Sequence, residues 1–188
     1  MQARAMLRKP APVLLCTDIQ QEYLAPGRHH AMADTAQVLA TCKKILDQWR
    51  SRLWPVVHLK RVARAAWFNP ASTLTDWVPE CRPRPGEMSF EHPLPSAYSS
   101  PRFVEYQANL GITGCVVIGF SLEEAVLATV IDGFHRGHDL KIIGEAIACA
   151  PLDGCELTQY RRVLLDLIGN FAGIEPLDRA IASTAHPA

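Results

Sequence analysis

The chain lacks net charge: nineteen lysines and arginines are matched by nineteen aspartates and glutamates in 188 residues. A balanced surface excludes the electrostatic footprint of a nucleic-acid or anionic-membrane binder, so neither is expected as a partner. No apolar run approaches the roughly 20 residues that a membrane helix needs. The three cations among residues 1–12 (Arg4, Arg8, Lys9) are not followed by an apolar stretch long enough for a secretory leader, and a cytoplasmic protein is the expectation. A Cys-x-x-Cys pair is also missing. The six cysteines (Cys16, Cys42, Cys81, Cys115, Cys149, Cys155) are scattered, three of them in apolar segments, and read as small buried hydrophobes in a reducing compartment. With no repeat, low-complexity tract or linker, residues 1–188 read as one domain, large enough to bury a core without metal or disulfide staples.

What is present is a rhythm of short apolar runs and amphipathic stretches. Val13–Cys16, Cys115–Ile118 and Leu140–Ile143 are β-branched and continuously apolar, as central strands of a parallel sheet are, and Pro55–Leu59 is a shorter fourth. Between them, residues 31–50 put Val38, Leu39, Cys42, Ile45, Leu46 and Trp49 on one helical stripe. Ala125, Val126, Thr129, Val130 and Phe134 form another, stopped by Arg136-Gly137. Strand alternating with helix predicts an α/β fold, a doubly wound three-layer sandwich with helices on both faces of a mostly parallel sheet. Residues 61–101 interrupt the rhythm. Seven of the fourteen prolines lie from Pro70 to Pro101, so the segment predicts a long loop, a lid or binding wall, with Met88–Glu91 as an edge-like strand.

Ligands of such sheets bind beyond the carboxyl ends of the strands, near the point where strand order reverses. That rule selects Thr17-Asp18-Ile19-Gln20, His58–Arg61 and Gly119-Phe120-Ser121. A carboxylate directly after an apolar strand is partly desolvated, which suits general acid or base work; alternatively Asp18 caps a turn through its own backbone. Ser121 reads as a helix N-cap with Glu124 completing a capping box, because Glu123 stands where a Gly-x-Ser-x-Gly nucleophile elbow needs a small residue.

Three blocks resemble the isochorismatase-like cysteine hydrolases: Val13-Leu-Leu-Cys-Thr-Asp18-Ile-Gln20-Gln-Glu-Tyr23; Ser96-Ala97-Tyr98 with Leu110-Gly111-Ile112 and Val116-Val117-Ile118-Gly119; and Thr129, Asp132 and Arg136-Gly137-His138-Asp139-Leu140. Together they run in register over about residues 12–148. The resemblance implies a six-stranded sheet of Rossmann-type order and a catalytic Asp–Lys–Cys set. Asp18 matches the Asp, whereas the Lys position is His92 and the Cys position is Ala125. A methyl group cannot form a thioester, so covalent cysteine catalysis is not expected. Cys115 lies at the far end of its strand, and Cys149 has no evident cationic neighbour to make it a thiolate. His92 is open to two readings, a proton-transferring partner of Asp18 or a loop histidine bonded to backbone.

The resemblance further implies a cis peptide at Phe120–Ser121, with the amides of Ser121 and Ala125 as oxyanion donors. Gln20, Tyr23, Phe120, Ser121 and Trp67 form the expected ligand-binding set, although the Trp67-Phe68 pair could equally be lid, interface or core. No metal and no cofactor are expected: zinc-binding relatives carry Asp-x-His after the second strand where this chain has His58-Leu-Lys60-Arg61, and His29-His30 and His135/His138 read as surface residues. The expected partners are a small molecule and, as in relatives, further copies of the chain in a dimer or tetramer. Two functions stay open. One is hydrolysis of a small carbonyl or vinyl-ether compound with Asp18 as general acid or base; the other is an inactive family member that binds a small carboxylate or amide, or a protein partner.

Overall fold

The computed structural model describes residues 11–33 and 35–182; the basic start of the chain, read above against a leader, lies outside the described residues. One six-stranded sheet runs through it: β1 Val13–Thr17, β2 Val56–Arg61, β3 Met88–His92, β4 Gly114–Gly119, β5 Asp139–Ile147 and β6 Gly173–Glu175. Their spatial order is β3-β2-β1-β4-β5-β6, and every pairing is parallel. Strand order therefore reverses between β1 and β4, which places the switch point between Asp18 and Gly119.

Alternation along β1 builds the three layers. Leu14 and Cys16 face α1 (Thr35–Ser51), packing with Cys42, Ile45, Leu46 and Trp49. Val13 and Leu15 face the other side, against α2 (Pro101–Leu110), α3 (Leu127–His135) and α4 (Leu157–Ile168), represented by Phe103, Val130 and Leu164. Both faces of the strand are dry, which is why its sequence is apolar throughout rather than alternating.

Several boundaries differ from the sequence reading. The first helix begins at Thr35, not residue 31, because Met32 N–H is drawn to the Tyr23 carbonyl at 2.9 Å and that segment becomes loop. β5 extends four residues past Ile143, with an irregular register against β4 after Val117. Phe134, assigned to the buried stripe, is half-exposed and leans on Phe171 with ring centroids 5.5 Å apart. β6, α4 and the short α5 (Leu177–Ala182) complete the fold; β6 has only three residues and little burial, so the sequence carries almost no pattern for it. The proline-rich loop folds back over the strand ends: Gln21 N–H donates to Asp76 O at 2.9 Å and Val78 N–H to Ile19 O at 3.0 Å. No helix among the described residues is long and apolar enough to cross a membrane.

Candidate active site at the switch point

Thr17 and Gly119 are paired at the carboxyl ends of β1 and β4. Gly119 has φ +119°, and a Cβ there would lie 2.1 Å from the Thr17 carbonyl oxygen, so no side chain fits this approach. Phe120 N–H then donates to that same carbonyl at 2.8 Å. Next to it, Asp18 takes φ +51°, a left-handed conformation uncommon for a residue with a side chain and frequent at functional sites. Its N–H donates to Leu59 O at 3.0 Å and its carbonyl accepts from Gln20 N–H at 2.7 Å, so backbone groups hold the turn. The carboxylate does not cap it. Asp18 Oδ1 lies 2.7 Å from His92 Nε2, with both side chains fully buried.

His92 ends β3, and its Nδ1 is 2.6 Å from the Leu94 carbonyl. A carbonyl can only accept, so Nδ1 carries a hydrogen. The Nε2–Asp18 contact then contains one further proton, shared as imidazolium–carboxylate or imidazole–carboxylic acid. Burial pushes the Asp18 pKa up, and the opposing pull of His92 and Arg61 does not cancel it. Burial pulls His92 down, but the Asp18 charge, their hydrogen bond and the Leu94 carbonyl outweigh it and the net shift is upward. Both shifts run toward holding a proton, and they belong to the pair rather than to either residue alone.

Residues far apart in sequence fix this geometry. Ser96 Oγ donates to Asp132 Oδ2 at 2.6 Å, and Ala97 N–H donates to Thr129 Oγ1 at 3.0 Å, tying the loop after β3 to α3. Leu94 N–H donates to Ser99 Oγ at 3.2 Å, which seats the carbonyl that orients His92.

A π-helical turn, Leu122–Val126, leads into α3, and the Phe120–Ser121 peptide before it is cis. The expected capping box does not form. The Ser121 hydroxyl makes no cap bond and is buried without a hydrogen-bond partner, while Val126 N–H reaches back to Ser121 O at 2.9 Å. This wide turn displaces the first helical amides, and Glu124 instead pairs with Arg61 at 2.8 Å and with His30 at 3.5 Å. Because the turn's first backward bond comes from Val126, the amides of Glu123, Glu124 and Ala125 are among the donors a helix start leaves over, whereas Leu122 N–H donates to Ala148 O at 2.8 Å. Ala125 itself is fully buried.

The other candidates fall into two groups. Tyr23 and Phe120 are buried against each other, with ring centroids 5.5 Å apart, and the Tyr23 hydroxyl has no hydrogen-bond partner. The Gln20 amide is instead taken up by backbone: it donates to Arg61 O at 3.0 Å and Thr75 O at 2.8 Å, and accepts from Arg61 N–H at 2.8 Å. It braces the strand end carrying Arg61. Trp67 and Phe68 separate, Phe68 buried and Trp67 outside on His29 and His30 at 4.9 and 5.7 Å. Burial pushes Cys115 and Cys149 up to about 12, so both remain thiols at neutral pH.

Sequence reasoning missed Arg61, Glu124 and His30 as neighbours of the site. Arg61 stood in a segment singled out by position, but its ion-pair partner is sixty-three residues away and nothing local signals it. His30, assigned to the surface, is mostly buried against Tyr23 and Phe68. His138 likewise meets the Tyr98 hydroxyl at 2.7 Å. Thr17 Oγ1, Asp18 Oδ2, Tyr23 OH, Arg61 Nε and Ser121 Oγ are all buried without a hydrogen-bond partner, an accumulation that ordinary cores avoid. Two surface clefts, about 520 Å³ beside Arg50, Arg82 and Arg84 and about 360 Å³ beside Val38, Ala148 and Leu177, include neither Asp18 nor His92 in their walls. Among the described residues no group of three or more His, Cys, Asp or Glu side chains is arranged to hold a metal.

The isochorismatase domain, as a family model, matches residues 12–163. The chain belongs to the isochorismatase family. This isochorismatase-family chain is similar to a secreted isochorismatase effector of Verticillium dahliae, 24% identical over 163 residues that cover 86% of this chain and 85% of that one. Among solved structures it is similar to an isochorismatase from Pseudomonas putida, with TM-score 0.80, 24% identity and coverage of 90% and 92% of the two chains. An isochorismatase-like hydrolase from Alkaliphilus metalliredigens gives TM-score 0.82 at 16% identity, covering 93% of this chain and 99% of the other. At these identities the solved structures speak to the fold, which is that of the isochorismatase-like hydrolases.

Proposed function

We propose that this chain is an isochorismatase-type hydrolase that works without a cysteine nucleophile, using Asp18 and His92 for proton transfer to a small carbonyl or vinyl-ether compound. The observation that carries the reading is the buried 2.7 Å contact between Asp18 Oδ1 and His92 Nε2, with Nδ1 committed to the Leu94 carbonyl. It fits the family members that cleave vinyl ethers, which use the Asp as general acid and carry a small residue at the cysteine position, here Ala125. On a vinyl ether, the carbon–carbon double bond takes the proton from the Asp18 carboxylic acid and leaves an oxocarbenium ion. Water adds to that carbon and returns a proton to Asp18, giving a hemiketal that collapses to a ketone and an alcohol. With the shared proton on the substrate, His92 Nε2 is left as a bare acceptor beside the carboxylate, which favours the return of a proton from water. The Ser121 and Ala125 amides would receive oxygen that gains negative charge.

The test compares turnover of vinyl-ether acids with that of small amides. Vinyl-ether cleavage that Asp18→Asn abolishes is expected; activity indifferent to that change removes the reading. A second reading, a family member that binds a small carboxylate or amide, or a protein partner, without turnover, is favoured by the joint replacement of the family's Lys and Cys by His92 and Ala125. Saturable ligand-induced thermal shifts with no product formed would select it. A cytoplasmic location, and assembly into a dimer or tetramer through helices beside the sheet, complete the reading. Fractionation checks the first, and light scattering that reports a monomer at micromolar concentration removes the second.

A further inference from the structure

The cleft of about 360 Å³ beside Val38, Ala148 and Leu177 lies outside the Asp18–His92 site, and none of the catalytic or ligand-binding candidates lines it. It opens where β5 runs out, between the first turns of α1 and α4 and the first residue of α5. The space beyond the carboxyl end of a parallel strand is where ligands of such sheets bind, and the volume falls within the roughly 300–1,000 Å³ of small-molecule sites. Val38, Ala148, Leu157 and Leu177 make the wall mostly apolar, and it carries one acid, Glu145, and one base, Arg161.

These two charges are not neutralised by each other. Glu145 Oε1 accepts only from Leu177 N–H, at 3.4 Å. Arg161 donates from Nη1 to Ile147 O at 2.6 Å and from Nη2 to Gly144 O. Those bonds fix the guanidinium on the end of β5 and leave its Nε–H and one hydrogen on each Nη uncommitted. Neither side chain forms an ion pair with the other or with any other described residue. The larger cleft differs, because there the Arg50 guanidinium is already answered by Glu87 at 2.7 and 2.9 Å. A ligand with a single charge would answer one of Glu145 and Arg161 and strip water from the other without compensation. A ligand with one charge of each sign beside an apolar body answers both.

We propose that this cleft binds an apolar α-amino acid as its zwitterion, with the ammonium on Glu145, the carboxylate on Arg161 and the side chain against Val38, Leu157 and Leu177. Its floor is shared with the turn that carries the Phe120–Ser121 bond: Ala148 N–H donates to Gly119 O at 3.1 Å, and Ala148 O accepts from Leu122 N–H at 2.8 Å. The assignment makes no use of the acid–base reading, because Asp18 and His92 do not line the cleft.

Calorimetric titration of the full chain with L-leucine, isocaproate, isoamylamine and glycine tests it. Leucine should bind saturably in the millimolar range or tighter, with isocaproate and isoamylamine, which each lack one of its charges, at least about tenfold weaker. Glycine keeps both charges and loses the apolar body, so it too should bind at least about tenfold weaker. Glu145→Gln, at an exposed position, should weaken leucine about tenfold and spare isocaproate. Ala33→Trp, which fills the cleft from a half-buried position in its wall, should abolish leucine binding and leave the far-ultraviolet circular dichroism unchanged. No saturable binding at millimolar leucine would overturn the proposal. So would isocaproate, isoamylamine or glycine binding as tightly as leucine, or a leucine affinity indifferent to either substitution.

Discussion

Replacing His92 with leucine removes the side chain that meets Asp18 Oδ1 and leaves a fully buried carboxyl whose other oxygen already has no partner. At pH 7 that carboxyl must remain charged without a counter-charge or take up a proton. Holding a carboxyl of ordinary pKa, about 3.9, protonated at pH 7 costs about 4 kcal/mol, and breaking one side of a buried pair costs about 3–5 kcal/mol. Both routes place the loss near 4 kcal/mol. Its pH dependence is more telling. Below the ordinary histidine pKa of 6.5, unfolded wild-type chain carries one proton on His92 and none on Asp18, and the folded pair also carries one, so the pair adds no slope down to about pH 4. In the variant, folded Asp18 binds a proton that the unfolded chain lacks. The deficit should therefore shrink by about 1.4 kcal/mol for each pH unit between pH 6.5 and 4. Above pH 6.5 the sign differs for the wild type: its raised His92 pKa gives stability that is complete below 6.5 and is lost as pH rises through the folded value. Urea denaturation of both proteins at several pH values measures these slopes. Asp18→Asn is the control, because its amide can donate to neutral His92 Nε2 and should cost only about 1 kcal/mol. A His92→Leu deficit that stays constant with pH is what a packing defect gives, and it would refute the one-proton pair.

Three further outcomes follow from particular contacts. Gly119→Ala should cost more than about 3 kcal/mol or prevent folding, because the new Cβ would meet the Thr17 carbonyl oxygen at 2.1 Å. Gly111→Ala, at φ +61° with open space around it, should cost about 1 kcal/mol in thermal melts, and equal losses at both positions would contradict the close approach. Burial pushes Glu87 up, but Arg50 at 2.7 and 2.9 Å, the Arg84 N–H and His58 prevail and hold it at about 2. That stabilisation is present above its ordinary 4.5 and is lost as pH falls toward 2; Glu87→Gln should flatten this acid limb in circular dichroism and, after solvent screening, cost about 1–2 kcal/mol at pH 7. Of the six thiols only Cys155 is not buried, so a thiol reagent should label one cysteine rapidly in the native protein, and rapid labelling of Cys149 would contradict its burial.

The strands were legible because parallel strands dry on both faces leave continuous apolar runs, and Val13, Leu14 and Leu15 show it. The stop at Asp18 was legible for the same reason: a charge ends such a run where the sheet meets its functional edge. Arg61, Glu124 and His30 were not, because their relation exists only between β2, the turn before α3 and the loop before α1. Ser121 shows a local rule giving way. Its capping-box pattern was sound by spacing, yet a π turn took Ser121 O for Val126 N–H, and Arg61 took Glu124.

By itself the sequence determined the alternation of strands and helices, the order of the blocks that resemble the family, and the absence of a thiol at position 125. These depend on side-chain type and local period, which the chain carries without folding. Only the tertiary structure decided that Asp18 faces His92 and not its own turn, and that Gln20 braces backbone. Those outcomes rest on contacts between residues about forty to seventy-four positions apart. Burial supplies the energies there, and burial belongs to the assembled fold.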